Sequence, residues 1–333
     1  MKTAKNITFY LTLSLGTLLI VVTLLSLIYN VRFWYLKVLD FPRVQVLISL
    51  IVLLIIFAVL NNRWKSLSYL FLAGMISSIA LQAHFIFPYT TLAGKTVESL
   101  TPAEAENSQT FSLLVANVWM KNEQVADFLE MVHNADPDIV LAMEINQWWS
   151  QQLTALQEMY PHRVVYPMDN TYGIALYSKL PLRDTEVKFL NHKEVPSIHT
   201  QVKVSGNVSF VLHAMHPVPP KPSKYPDNIG EKAVSLLKVG KMVQQRQLPT
   251  VVAGDFNDVA WSKTSRLFGT ESKLGDIRIG RGLYNSFDAT SLIMRWPLDH
   301  IYVSNEFKVV IIQRLPKFGS DHFPIYVKLA LTE

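Results

Sequence analysis
The chain has 333 residues, a formal net charge of +5, 50% hydrophobic and 17% charged residues, and no cysteine. The absence of cysteine excludes thiol catalysis, Cys-ligated zinc and disulfides. The apolar content is high for a soluble enzyme, and it is concentrated toward the N-terminus.

Three uncharged runs come first, Ile7 to Tyr29, Val44 to Leu60 and Ser66 to Pro88. Each is close to the ~20 residues a helix needs to cross ~30 Å of hydrocarbon. A cleaved signal peptide would carry an apolar core of only ~7–15 residues and would not be followed by two further runs. The expectation is three membrane helices over roughly 7–29, 44–60 and 66–88. Basic residues near the spans divide evenly between the two sides, so the positive-inside rule returns a tie. The short basic start (Lys2, Lys5) and the acidic exit (Glu98, Glu104, Glu106) favour an N-terminus inside and a C-terminal domain outside the cytoplasm.

Through Lys95 there are 8 Lys and Arg against one acid, Asp40, and the remainder holds 23 basic against 25 acidic residues. The positive charge therefore belongs to the membrane flanks, where it meets anionic headgroups. The C-terminal portion lacks the basic footprint of a tight, non-specific DNA binder.

Residues 90–110, rich in Thr, Ala, Glu and Ser, read as a linker. From Phe111 the pattern changes to short β-branched apolar runs alternating with amphipathic stretches. Strands are expected at Phe111–Val118, Ile139–Met143, Thr171–Ser178, Thr185–Leu190, His199–Val204, Val208–Met215, Pro249–Ala253, Leu298–Val303 and Ile325–Leu331. Helices are expected at Glu123–Asn134, with Val125, Phe128, Leu129 and Val132 on one face, at Trp149–Met159 and at Ile229–Gln245. This mixture suits a single domain over 111–333.

Polar groups stand at the ends of several of these strands. Asn117 closes the first, where a turn former is the ordinary alternative. Glu144 closes the second, and a carboxylate there costs several kcal/mol unless it is paired, metal-bound or exposed. His216 ends a strand braced by Pro217, Pro219 and Pro220, where it could protonate a leaving group or bind a phosphate. His213, three residues earlier, points to the other face and reads as structural. The segment Val251-Val-Ala-Gly254-Asp255-Phe256-Asn257 runs an apolar strand into two polar side chains at i and i+2. Asp255 could orient or deprotonate a water and Asn257 could hold a phosphoryl oxygen, with an Asp-x-Asn turn as the alternative. Asp299 opens a strand and is suited to fix the tautomer of an imidazole such as His322. The run Ser320-Asp321-His322-Phe-Pro324 places a metal-binding carboxylate beside that imidazole.

Taken in order, these groups resemble the endonuclease/exonuclease/phosphatase superfamily, the DNase I-like fold. The strand-end Asn117 and Glu144 correspond, as do Gly173-Ile-Ala175-Leu-Tyr-Ser178-Lys-Leu-Pro181, His216 to Pro219, Gly254 to Asn257, Asp299 to Ile301, and Ser320 to His322. The resemblance covers Phe111 to Leu331 and departs at Met143, where many relatives carry Gln. It implies an α+β, four-layer α/β/β/α sandwich behind the three transmembrane helices, and hydrolysis of phosphoesters with Mg²⁺ or Mn²⁺. It implies a metal pocket of Glu144, Asn117 and Asp321. Catalysis would fall to Asp255 and Asn257 on water and phosphate, His322 with Asp299 as base or charge stabiliser, and His216 on the acid side. The expected partners are a phosphoester substrate (nucleic acid or phospholipid headgroup) and the lipid bilayer, in a bacterial inner membrane. The competing readings are a phosphomonoesterase or a catalytically silent membrane-bound recognition module. Trp148, Trp149 and Trp261 lie near strand-exit loops, where they could touch a base or a lipid, or simply pack.

Overall fold
The structure is a computed structural model, described over residues 2–28, 34–220 and 234–332. Helix α1 (Lys2–Leu25) leads through the short α2 (Trp34–Lys37) to α3 (Arg43–Leu60) and α4 (Ser66–Ile86). Three stretches, Thr3–Leu25, Arg43–Leu60 and Ser66–Tyr89, are helices long and apolar enough to cross a membrane. The expected end of the first span at Tyr29 lies outside the described residues, as does the start of the helix expected from Ile229. Leu50, Met75 and Val46 pack the three helices together with Leu19, Ile20 and Phe71. Polar groups inside the bundle pair with one another, as an apolar surrounding requires. The Arg43 guanidinium meets Asp40 and donates to Gln82 Oε1 at 2.9 Å, and Gln82 Nε2 donates to Thr23 Oγ1 at 3.0 Å.

The rest of the chain forms α5 (Pro102–Ala105), β1 (Gln109–Asn117), α6 (Val125–Ala135), β2 (Ile139–Met143), α7 (Gln147–Gln152), β3 (His162–Tyr166) and β4 (Ile174–Ser178). It continues through β5 (Leu182–Lys188), β6 (Ser197–Ser205), β7 (Val208–Ala214), α8 (Ser235–Gln244), β8 (Thr250–Asp255), α9 (Lys263–Ser272), β9 (Gly275–Asp276), β10 (Asp299–Val303), β11 (Phe307–Arg314) and β12 (Ile325–Leu331). One six-stranded sheet has the order β11-β12-β1-β2-β4-β3 and the other β5-β6-β7-β8-β10-β9.

Strand alternation builds the layers. Leu113 and Val115 of β1 and Leu141 of β2 face Ile198, Leu212, Val251 and Ile301 of the second sheet, filling the space between the sheets. Leu114, Ala116 and Val140 face outward under α6 and α7 with Phe128, Val132 and Trp149. On the other side Val239, Val243 and Phe268 of α8 and α9 cover Val252 and Tyr302. The expected four-layer α/β/β/α sandwich is thus the architecture of this chain. Val125, Phe128, Leu129 and Val132 lie on the buried side of α6, as their spacing predicts.

Several elements were not expected from the sequence. Strands β3 and β11 are half-exposed sheet edges, and α9 shows a mostly polar sequence over Phe268. The helix expected from Trp149 to Met159 ends at Gln152 and passes into a 3-10 turn over Leu153–Leu156. Residues 90–110, expected as a linker, are held along the sandwich. Val97 is buried in its core, Thr96 Oγ1 donates to Asp276 O at 2.9 Å, and Ser99 bridges to Val309 of β11. The Thr101–Glu104 capping box then starts α5.

His213 lies within β7, three residues before His216 at the strand end. Its Nδ1 meets Nδ1 of His199 at 2.6 Å across the β6–β7 pair, and His199 Nε2 meets Ser197 Oγ at 2.8 Å. Burial holds both imidazoles neutral, lowering His199 to about 3 and His213 to about 4. The unfolded chain takes up these protons near pH 6.5, the folded chain only near 4 and 3, so this pair's stabilisation is complete above pH 6.5 and declines as pH falls below it. Thermal unfolding of His213→Leu should therefore fall less steeply between pH 7 and pH 5 than that of the wild type.

Candidate active site
Strand register brings the polar groups together. β8 and β10 run antiparallel with Asp255 opposite Asp299, which places two carboxylates side by side at one end of the second sheet. β1 and β2 run parallel with Asn117 beside Met143, so Glu144 follows immediately at the same end of the first sheet. The sandwich apposes these two ends. Asn117 Nδ2 donates to Glu144 Oε1 at 3.0 Å and to Asp255 Oδ2 at 3.1 Å, joining one carboxylate from each sheet through a single amide.

Backbone turns complete the rim. Trp119, Glu144 and Asn257 all have φ between +53° and +62°, a costly conformation for non-glycine residues that concentrates at functional sites. The Trp119 N–H donates to Asn117 Oδ1 at 2.9 Å, and the Met120 N–H to Glu144 Oε2 at 3.3 Å. Gly254 has φ +141°, and a Cβ there would run into the Met215 carbonyl; at Gly173 it would run into that of Ile145. Both glycines let strand ends approach closely enough to close the rim.

The imidazoles differ in state. His322 Nδ1 lies 2.7 Å from Asp299 Oδ2, and its Nε2 lies 3.6 Å from Asp255 Oδ2. Burial alone would lower its pKa, but Asp299, Asp255 and Asp321 outweigh burial and push it up to about 10. His216 sits 3.7 Å from Asp255 Oδ2 and is held below its ordinary value by burial, against the pull of Asp255. Neither ring nitrogen of His216 has a hydrogen-bond partner among the described residues. The carboxylates are strained the other way. Burial raises Glu144 and Asp255, and raises Asp321 to about 6 with further pressure from Glu144 and Asp255.

All the expected site residues except Asn257 aim functional atoms into this cluster. The Asn257 N–H donates to Asp255 Oδ1 at 2.8 Å and its side-chain amide to Pro217 O at 3.0 Å. The segment thus forms the Asp-x-Asn turn that was its alternative reading, and the turn itself aims Asp255. At Met143 the thioether receives the Asp255 N–H at 3.1 Å, so the outer contact is kept with sulfur as acceptor. Ser286 carried no sequence signal, whereas Ser320 opened the Ser320–His322 run without its own contact being evident. Ser286 Oγ accepts from the N–H groups of Leu298 and Asp299, and Ser320 Oγ donates to Asn117 O at 2.7 Å. Trp149 and Trp261 are core side chains, and only Trp148 is exposed.

The carboxylates gathered at this rim are hard-oxygen donors of the kind that suit Mg²⁺ or Mn²⁺, while Asn117 meets them with its amide N–H and not its oxygen. Asp299 Oδ1 is buried without a partner, and ligand atoms of Asp255, Asp299 and His322 lie within 4.8 Å of one another. Crowded, desolvated carboxylates of this kind are stabilised by a cation, so the residues present fit a divalent ion. A two-sheet sandwich with an oxygen-donor cluster and a carboxylate-held imidazole at one rim defines a phosphoesterase-type centre.

The model of the Endonuclease/Exonuclease/phosphatase family matches residues 114–322, and the chain belongs to that family, whose members are metal-dependent phosphoesterases. Among solved structures it is similar in fold to the human Nocturnin catalytic domain with bound sulfate anion (16% identity, 68% of this chain and 96% of that chain, TM-score 0.52). It is similarly related to D. rerio TDP2 complexed with single strand DNA product (14%, 66% and 98%, TM-score 0.52). A functionally unknown conserved protein from Enterococcus faecalis V583 matches at 19% identity over 66% and 99% of the two chains, with TM-score 0.53. No curated protein matches the chain in sequence.

Two measurements check this geometry. Asp299→Asn should bring His322 down from about 10 toward its ordinary 6.5, read by imidazole NMR titration; an unchanged value would show that Asp299 does not hold the proton there. Gly254→Ala should cost upward of about 2 kcal/mol in chemical denaturation, because φ and the Met215 carbonyl both oppose a side chain.

Proposed function
We propose that this chain is a membrane-tethered, divalent-metal-dependent phosphoesterase that hydrolyses phosphodiester bonds by attack of an oriented water. The observation that carries the reading is the Asn117 amide shared between Glu144 and Asp255, with the Asp299–His322 pair against the same Asp255.

Glu144, Asn117 and Asp321 would hold Mg²⁺ or Mn²⁺, which when bound neutralises charge on the phosphoryl and leaving oxygens. Asp255 orients the attacking water and accepts its proton. Protonated His322, oriented by Asp299, donates from Nε2 to a phosphoryl oxygen as negative charge grows there, which favours its role as charge stabiliser over that of base. His216, kept neutral by burial, offers a hydrogen bond to the phosphate rather than a strongly acidic proton. Asn257 acts through its turn, positioning Asp255, and its side chain braces the His216 loop through Pro217.

The domain bounds we propose are 1–89 for the membrane portion and 111–333 for the catalytic portion, with 90–110 joining them. The basic start of α1 favours the cytoplasm for the N-terminus and the outer face of a bacterial inner membrane for the catalytic rim.

With the full chain in detergent, a soluble aryl phosphodiester and Mg²⁺, Glu144→Ala and His322→Ala should each lower turnover by about 10²–10⁴-fold. Chelation by EDTA should abolish turnover, and added Mg²⁺ or Mn²⁺ restore it. Wild-type rates in both variants would overturn the assignment.

A further inference from the structure
The loop joining Phe287 to Trp296 has no role in the chemistry above, yet it is built onto both the site and the membrane helices. Its base belongs to the site. Phe287 bridges His322, with the two rings 5.0 Å apart, and the Ala289 N–H donates to Asp321 O at 2.7 Å. Its tip is Leu292-Ile293-Met294, which are 88%, 74% and 46% exposed. Consecutive large apolar residues projecting this far mark an interaction surface rather than a packed loop.

The position of the tip says what covers it. Gln45 Nε2 donates to Ile293 O at 2.8 Å, and Gln45 is the third residue of α3. At about 1.5 Å per residue the tip lies beside the first turn of that helix. One turn further along, Ile48 is outward-facing as well, so the apolar tip continues the surface that α3 turns toward acyl chains. The site's rim meets the helix bundle on the same side. Trp261 Nε1 donates to Asp40 O at 2.7 Å and Tyr89 OH to Ala260 O at 2.7 Å, while Phe41 packs edge-on against Trp296 at 5.8 Å. Arg295 and Arg314 both lie over the ring of Phe323, the residue after His322, at 5.0 and 4.4 Å. Two guanidinium groups therefore lie beside the residue that follows the imidazole, one of them only a residue from the tip, where they would attract a lipid phosphate.

We propose that the Leu292–Met294 tip is immersed in the bilayer and that the substrate is a membrane lipid whose headgroup phosphodiester is drawn to His322 while its acyl chains remain among α3 and the tip. This rests on the phosphoesterase reading of the site and names the class of its substrate. A nucleic acid would gain nothing from an apolar tip at this depth.

The absence of native cysteine makes a single-site probe clean. With the full chain in phosphatidylglycerol and phosphatidylcholine vesicles, an environment-sensitive fluorophore on Ile293→Cys should be quenched by lipids brominated on their acyl chains. The same label on Asn207→Cys, at the β6–β7 turn at the opposite end of the sandwich, should not be quenched. In the same vesicles Leu292→Ser/Ile293→Ser/Met294→Ser should lose about tenfold or more in release of the lipid headgroup. In detergent it should keep wild-type turnover of the soluble aryl phosphodiester. Absence of quenching at 293, undiminished lipid hydrolysis by the triple variant, or cleavage of single-stranded DNA without any lipid hydrolysis would each overturn the proposal. A wild-type chain inert toward the soluble diester would instead refute the catalytic reading itself, and the quenching result would still decide whether the tip is in the bilayer.

Discussion
The site is organised by a shortage of positive charge. Glu144, Asp255, Asp299 and Asp321 arrive from different strands and loops at one rim, and burial strips them of much of the water that would keep them apart. Such an arrangement is costly unless hydrogen bonds and cations meet it. The Asn117 amide and backbone N–H groups supply part of the compensation, and His322 supplies the charge, held as an imidazolium by the same acids that need it. A divalent cation would complete that balance. The electrostatic problem and the catalytic capability are therefore one arrangement viewed twice, since groups poised to bind a metal and a phosphoryl group are groups the fold has left under-neutralised.

Much of this was legible in the chain because the candidate site residues sit at the ends of strongly apolar strands. Asn117 follows Leu113-Leu-Val-Ala, Glu144 follows Ile139-Val-Leu-Ala-Met, and Asp255 follows Val251-Val-Ala-Gly, so each polar residue breaks an uninterrupted pattern. Buried strands and the amphipathic α6 announce themselves by period, whereas their stacking into four layers was implied by the family resemblance. Edge strand β3 has one neighbour missing and is half-exposed, so its residues satisfy no period strongly, while β11 does carry a strand signal in Val309-Val-Ile-Ile312. Ser286 was invisible, and the partner of Ser320 was unforeseen, for another reason. Both serines act through contacts with residues far along the chain, at Asp299 and Asn117, and a serine in a loop carries no mark of what it will meet. At Asn257 left-handed backbone defeats the simple alternation of an extended segment, so the direction of its side chain was not legible.

The join between helix bundle and sandwich is made at the catalytic rim rather than at the far end. Phe85 of α4 lies between two guanidinium groups, Arg43 from the bundle at 4.0 Å and Arg266 from α9 at 4.9 Å. Val259, Ala260 and Trp261, the residues just beyond Asn257, pack against Phe85 and Tyr89. A flexible tether would need none of these contacts, since a chain of twenty residues alone would keep the domain near the bilayer. Residues 90–110 are not free to act as such a tether in any case, being bonded along β11 and buried at Val97.

The consequence reaches the chemistry through the ring sequence Phe41, Trp296, Phe287 and His322, each in contact with the next. The first ring belongs to the turn before α3 and the last to the imidazole held by Asp299. Aromatic side chains in series are stiff and lose little by being fixed, so this stack ties the rim to the helix bundle while supporting one side of His322. Orientation of the domain and orientation of its charged imidazole are thereby held by the same residues. An enzyme acting on a substrate confined to the membrane plane benefits from that coupling, because its reacting group must be presented at a fixed height and direction. An enzyme acting on a substrate arriving from solution would not.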